Sequence, residues 1–135
     1  MSWYTTCVSA IVDLLRDYLG GRPDQLVAAY LFGSQARGTA GPHSDIDLGL
    51  LMRASPPRTL LGQPFALAED LTALTNHPVE IVVLNDAPVD LVHRVLRDGV
   101  LVVDRDPSAR IRFEVASRNA YFDLKPFLDR YRRTG

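Results

Sequence analysis

The sequence predicts an α/β fold, and three observations predict it. Short apolar runs of strand length alternate with longer stretches in which apolar residues recur at helical spacing. The order reads helix, strand, strand, helix, strand, helix, strand, helix, and strands separated by helices pack as a sheet covered by helices. The 135 residues, 47% of them hydrophobic and 23% charged, suffice for one domain, 1–135, with a core of its own. No internal repeat, linker or low-complexity segment interrupts it.

Val8, Ile11, Val12, Leu15, Tyr18 and Leu19 mark an amphipathic helix over about 5–19, stopped by Gly20-Gly21. Cys7, the single cysteine, reads as a small core residue of that helix; alone it makes no disulfide and no metal-ligand spacing. Leu26 to Phe32 is an apolar run bounded by turn residues, as in a buried strand. After Gly33-Ser34 and the turn-rich Gly41-Pro42-His43-Ser44, Asp45 to Met52 makes a second strand. Ser55-Pro56-Pro57 is a loop. Leu67, Ala68, Leu71 and Leu74 place a helix over about 64–75, with Pro64 in its first turn, and Asn76-His77-Pro78 ends it. Val79 to Leu84 is a third strand. A helix over about 88–98 opens with Pro88 and closes before Gly99, and Val100 to Val103 is a short fourth strand. Asp106-Pro107 has the form of an N-cap followed by proline at the first helical position. The last helix runs over about 108–132, with Pro126 expected to kink or divide it.

A net charge of −1 and an isoelectric point near 6.3 argue against a broad electrostatic grip on long nucleic acid. No run approaches the length of a membrane span, and Met1-Ser2-Trp3-Tyr4 lacks the pattern of a signal peptide. The expectation is a cytoplasmic protein. His43 falls on a loop, and His77 and His93 show no ligand spacing, so zinc is not expected.

The segment that carries chemistry is Gly33-Ser34-Gln35-Ala36-Arg37-Gly38, followed by Ser44-Asp45-Ile46-Asp47-Leu48. Glycine lets backbone approach a ligand closely. Free N–H groups at a helix start attract phosphate oxygens, the Ser34 hydroxyl adds a donor, and Arg37 a cationic fork about one turn later. Together they make a triphosphate seat. Asp45 and Asp47, two apart on a strand, project to one side, with Ile46 and Leu48 facing the other. Two close carboxylates repel unless a cation lies between them, and hard oxygen ligands suit magnesium. Two such ions would assist the attacking hydroxyl and the leaving pyrophosphate. Glu80 is the best third carboxylate: it sits in the apolar strand Val79-Glu80-Ile81-Val82-Val83, where an unpaired charge is costly. It would take the acceptor's proton, or hold the second metal, or both.

Each feature has a plainer reading. Gly33-Ser34 alone is an ordinary strand-to-helix turn, and an acidic pair can decorate a solvated edge strand. Glu80 can point into water, Arg37 can join a surface ion pair, and Ser44 can merely cap the turn. The spacing of the glycine-serine step to the acidic pair, and the apolar run after Asp47, favour the site. The basic residues of the last helix (Arg110, Arg112, Arg118, Lys125, Arg130, Arg132 and Arg133) are interleaved with Glu114, Asp123 and Asp129. A solvated, ion-paired face is therefore the plainer reading, against binding of RNA or an acidic partner. Tyr121, Phe122, Phe127 and Tyr131 either pack on the sheet or form a partner surface.

The pattern Gly-Ser-x-Ala-Arg-Gly, a gap, then Ser-Asp-x-Asp-Leu resembles the signature of the DNA polymerase beta-type nucleotidyltransferases. The short chain further resembles the minimal nucleotidyltransferase antitoxins that accompany HEPN-domain toxins. The sharp motif covers residues 33–48; the element order is similar over nearly the whole chain. The resemblance implies a small nucleotidyltransferase fold: a short mixed sheet packed with helices and a long C-terminal helix. It implies nucleotide binding by Gly33 and Ser34, magnesium held by Asp45 and Asp47, and a third acid on a later strand. That third acid is commonly aspartate and here is Glu80, whose arm is longer by one methylene. It also implies transfer of AMP from ATP to a tyrosine of a HEPN ribonuclease partner in a hetero-oligomer. Two alternatives remain open: a small-molecule, aminoglycoside-type nucleotidyltransferase that builds its acceptor pocket in a dimer, and an antitoxin that neutralises by occlusion without transfer.

Overall fold

The computed structural model describes residues 3–22, 24–33, 45–54 and 63–134, apart from the side chains of 3–9, 63–65, 133 and 134. The elements are α1 (Trp3–Leu19), β1 (Leu26–Phe32), β2 (Ile46–Met52), α2 (Gln63–Thr75), β3 (Val79–Val83), α3 (Val89–Asp98), β4 (Val100–Asp104) and α4 (Pro107–Thr134), with a 3₁₀ turn at Leu84–Asp86. Every expected element is present, with boundaries shifted by a residue or two; β2, for instance, begins at Ile46 rather than Asp45.

The strands form one mixed sheet in the order β3-β2-β1-β4. β1 is antiparallel to both β2 and β4, and β2 is parallel to β3. The apolar run of β1 is thereby explained: an interior strand covered on both faces has no side to give to water.

One face of the sheet packs on α1 and α2. Ile11, Leu15 and Leu19 of α1 fall at i, i+4 and i+8, and with Leu67 and Leu71 of α2 they enclose Ile46, Leu48 and Leu50. Leu15, Leu48 and Leu71 are completely buried. The opposite face packs on α3 and α4, where Val92 and Val95 join Tyr30, Leu51 and Leu84, and Phe113 packs alongside. Gly49 permits that approach, since a β-carbon there would stand 3.1 Å from Leu84 Cδ2 and 3.3 Å from Val95 Cγ1.

The connections that position the later strands are polar. Asn76 closes α2 in the left-handed region, with φ of 58°, and its N–H donates to Thr72 O at 2.9 Å. Thr72 Oγ1 accepts from Val79 N–H at 3.1 Å, which ties the end of α2 to the first residue of β3. Asn85, in the 3₁₀ turn, accepts from Met52 N–H at 2.9 Å and donates to Met52 O at 2.7 Å, fixing the far end of β2. The expected N-cap is present: Asp106 Oδ1 accepts from Ala109 N–H at 3.2 Å. That bond, followed by the Arg53 guanidinium at 3.0 Å, holds the Asp106 carboxyl below its ordinary value of 3.8.

On the α3/α4 face, buried Tyr30 donates to Glu114 Oε1 at 2.7 Å, and Arg110 contacts Asp104 at 3.0 Å and Glu114 at 3.1 Å. Burial above all, then the bond to Glu114, pushes the Tyr30 hydroxyl far above its ordinary range. The first part of α4 is therefore anchored by an ion-paired cluster, as the interleaved charges suggest.

α4 continues as one helix through Pro126, so of the two expected outcomes the proline does not divide it. The carbonyl that proline leaves without its helical partner belongs to Phe122, an exposed position, where the lost bond does not leave a polar group inside the core. Cys7 has its side chain outside the described set, so its expected core role is not described.

Two outcomes follow from this packing. Leu48→Ala removes a fully buried side chain between sheet and α1/α2 and is expected to lower stability by about 2–5 kcal/mol, read by urea denaturation. Because the carboxyl pKa of Asp106 is depressed in the folded state, its stabilising contribution is complete above the ordinary carboxylate range. It is lost as pH falls through the lowered value. Asp106→Ala is expected to be less stable at pH 7 and to show a smaller further loss between about pH 5 and pH 2, in thermal melts across that range.

Candidate active site

The site lies where β1 ends and where β2 and β3 begin. The antiparallel pairing sets Phe32 opposite Asp47, and the parallel pairing sets Asp47 beside Glu80. Asp47 and Glu80 therefore occupy one row on neighbouring strands, about 4.8 Å apart along the hydrogen-bonding direction. Alternation puts Asp47 on the face of Gly49 and Leu51, and Glu80 on that of Val82, which is the face covered by α3 and α4. Ile46 and Leu48 point the other way into the core, fully buried, as the spacing predicts. Asp45 directly precedes the strand and is exposed; Asp47 is half-buried.

Gly33 has a use that the sequence alone does not show. It sits just past β1 with φ of +75°, a left-handed conformation open to glycine. A β-carbon here would collide with Asp47 Oδ2 and stand 3.1 Å from Asp47 Cγ. The absent side chain is the space that the Asp47 carboxylate fills. The only sequence signal for this is the glycine itself, because its neighbour lies across a strand pair whose register the sequence does not state.

Glu80 needs a correction in its argument. The apolar composition of β3 suggests a charge in an apolar setting, yet Glu80 is exposed. β3 is the edge of the described sheet, and its second position opens to solvent at the strand start. Its place beside Asp47, rather than burial, is what keeps Glu80 the candidate third carboxylate. Ser34, Arg37 and Ser44, together with His43, lie outside the described residues.

Three carboxylates with oxygen donors only suit a hard divalent cation. Among the described residues, no three His, Cys, Asp or Glu side chains stand close enough together to hold a metal ion. The backbone register aligns Asp47 and Glu80, and drawing them with Asp45 onto one cation takes side-chain rotation within that fixed register. Chemically, the described part of the arrangement is two aligned carboxylates, Asp47 and Glu80, with a third, Asp45, just before the strand.

The family model described as "Polymerase beta, Nucleotidyltransferase" matches residues 15–108, a span that contains β1 to β4 and all three acids. The chain belongs to the polymerase beta nucleotidyltransferase family. No curated protein matches it. Among solved structures, this nucleotidyltransferase resembles a chain of a toxin–antitoxin crystal structure with AMP-PNP, with a TM-score of 0.64 and 24% identity over 92% of this chain and 97% of that one. A tyrosine-to-alanine mutant of the MntA–HpeT toxin–antitoxin gives a TM-score of 0.62 and 25% identity over 91% and 95%. The structure of a tri-AMPylated Shewanella oneidensis HEPN toxin in complex with its MNT antitoxin gives a TM-score of 0.62 and 22% identity over 95% and 98%. At these identities the likeness establishes the fold: this nucleotidyltransferase has the architecture of a minimal nucleotidyltransferase, a four-stranded mixed sheet with helices on both faces. No helix among the described residues is long and apolar enough to cross a membrane.

Gly33→Ala places a methyl group against the Asp47 carboxylate in a left-handed backbone. The expected result is a stability loss of about 1–3 kcal/mol together with a fall in nucleotidyl transfer of about a hundredfold or more, measured by thermal melting and by release of pyrophosphate. A loss of transfer no greater than the fraction unfolded at assay temperature would show that Gly33 serves the fold alone.

Proposed function

We propose that this chain is an antitoxin that transfers AMP from ATP to a tyrosine hydroxyl of a HEPN-domain ribonuclease toxin and so silences it. The observation that carries the reading is the row formed by Asp47 and Glu80, with Gly33 making room for the Asp47 carboxylate, in a chain of the nucleotidyltransferase family. Support for the acceptor comes from the matched Shewanella oneidensis complex, in which the HEPN toxin is tri-AMPylated. Support for the donor comes from the matched complex with AMP-PNP.

In this reading Asp45 and Asp47 hold magnesium, with Glu80 as the third ligand. Two bound ions would supply charge neutralisation at the triphosphate and polarise the attacking hydroxyl. Ser34, Arg37 and Ser44, the nucleotide-binding candidates of the motif, would bind the triphosphate. The tyrosine oxygen attacks the α-phosphorus, a new phosphorus–oxygen bond forms, and the bond to the β-phosphate oxygen breaks to release pyrophosphate. Glu80 is exposed at the strand start, so it can meet a hydroxyl brought by a partner protein, and it takes up the proton that the tyrosine gives up. The longer arm of glutamate lets an edge-strand carboxylate reach back toward Asp47.

The test mixes the purified chain with magnesium, ATP and the product of the adjacent gene, and weighs both by intact mass spectrometry. The expected result is one or more AMP units on the partner, lost with Asp47→Asn and reduced by at least about a hundredfold with Glu80→Gln. A tight complex with no gain in mass, in which Asp47→Asn still neutralises the toxin, would replace this reading with neutralisation by occlusion.

A further inference from the structure

α4 is amphipathic twice over. Its inner side carries Phe113, Glu114 and Tyr121 onto the domain. On its outer side, Ile111, Val115 and Phe122 are 50%, 47% and 56% exposed. At 100° per residue these three fall within about 40° of one another, so they form one apolar stripe along the helix rather than scattered surface residues. The charges around the stripe are not balanced. α4 holds seven basic and three acidic residues in a chain whose net charge is −1, and one of the three acids, Glu114, is already engaged by Tyr30 and Arg110. Arg118 and Lys125 border the stripe on one side and Arg112, with the acidic Asp123 near it, on the other, which leaves the border net basic.

Beside the stripe, between α3 and α4, is a cavity of about 250 Å³ lined by His93, Leu96, Arg97, Glu114 and Arg118. Its rim is stiff: the rings of His93 and Tyr121 stack in parallel with centroids 3.6 Å apart. Arg97 is paired with Asp98 at 2.8 Å, and the Glu114 charge is used from behind, so Arg118 gives the mouth a positive character. Arg118 borders both the notch and the stripe, which makes them one continuous surface. A cavity of this size takes one side chain, and Arg118 at its mouth is the cation that side chain would meet.

We propose that the outer face of α4 is the docking surface for the protein substrate. Its occupant is an acidic amphipathic helix whose apolar side covers Ile111, Val115 and Phe122 and whose aspartate or glutamate enters the notch at Arg118. The proposal rests on the reading that the acceptor is a HEPN protein, and it says which surface holds that protein while the carboxylate site works on its tyrosine. Charge complementarity chooses this occupant: a second copy of this chain would set the same basic rim against itself. Apolar anchors with an arginine at the centre are the usual composition of an interface that carries affinity.

The experiment measures two quantities on the same full-length proteins: affinity for the product of the adjacent gene, by titration calorimetry, and AMP transfer to it, by intact mass. Ile111→Ser with Phe122→Ser, and separately Arg118→Glu, are expected to weaken binding by about tenfold or more. Arg118→Lys should bind within about threefold of the parent, because it keeps the charge at the notch. All three variants should keep the parent's melting temperature and its affinity for AMP-PNP, since these side chains are exposed and none belongs to the carboxylate site. Unchanged binding in both disruptive variants, with transfer intact, would overturn the docking surface while leaving the adenylyltransferase reading standing. Weakened binding in the variants of a chain whose parent transfers no AMP would support the surface and remove the enzymatic reading. Loss of self-association by the chain alone, or loss of binding to anionic vesicles or to RNA in place of the protein, would overturn the proposed occupant.

Discussion

The structure depends on the register of the three strands β1, β2 and β3. A strand alternates faces with period two, so a slip of one residue would turn every side chain over. In β2 that slip would move Ile46, Leu48 and Leu50 out of the α1/α2 core and drive Asp47 into it. Burying an unpaired carboxylate and exposing three aliphatic side chains are each costly enough to forbid it. The same constraint that packs the core therefore fixes Asp47 opposite Phe32 and beside Glu80. The placement of these candidate carboxylates is a consequence of hydrophobic burial on the other side of the sheet.

The two faces divide the labour. The α1/α2 face is almost wholly apolar, from Leu15 and Leu19 to Leu48 and Leu71, and it determines stability and register. The α3/α4 face mixes apolar packing around Val95 with the Tyr30, Glu114, Arg110 and Asp104 cluster, and its exposed end carries the acids. The ion pairs of that cluster are half-buried and share Arg110, which contacts both Asp104 and Glu114. They hold the first half of α4 in a single orientation. The outer side of α4 is left with its apolar stripe and basic rim facing solvent, a combination that packing within the domain does not require.

The backbone of the candidate site is fixed while its side chains are not drawn together. Asp45 and Glu80 are exposed and Asp47 is half-buried, so none of the three is locked in place by core packing. Thr72 and Asn76 at the end of α2 hold the start of β3, and Asn85 clamps the far end of β2. The row is thus held from both ends by side-chain to backbone bonds, which makes its geometry insensitive to the loops around it.

Most of the secondary structure was legible in the sequence, because helices and strands bury one face at characteristic periods, and because Gly20, Asn76, Gly99 and the Asp106-Pro107 pair end or start elements for local reasons. The acidic pair was legible for the same reason: period two sets Asp47 apart from Ile46 and Leu48 whatever the strand pairs with. The continuity of α4 through Pro126 was not legible, since the cost of a helical proline depends on whether water can reach the carbonyl it abandons. Nor was the exposure of Glu80, which follows from β3 lying at the sheet edge rather than from its apolar neighbours. By itself, the sequence determined the elements, the α/β class and the acidic motif, all of which rest on interactions within a few residues. Tertiary structure alone decided that Gly33 makes room for Asp47, that Glu80 is the residue beside it, and that α4 turns Ile111, Val115 and Phe122 outward. Each of these depends on strand order, register or helix orientation, which are set by contacts between residues far apart in the chain.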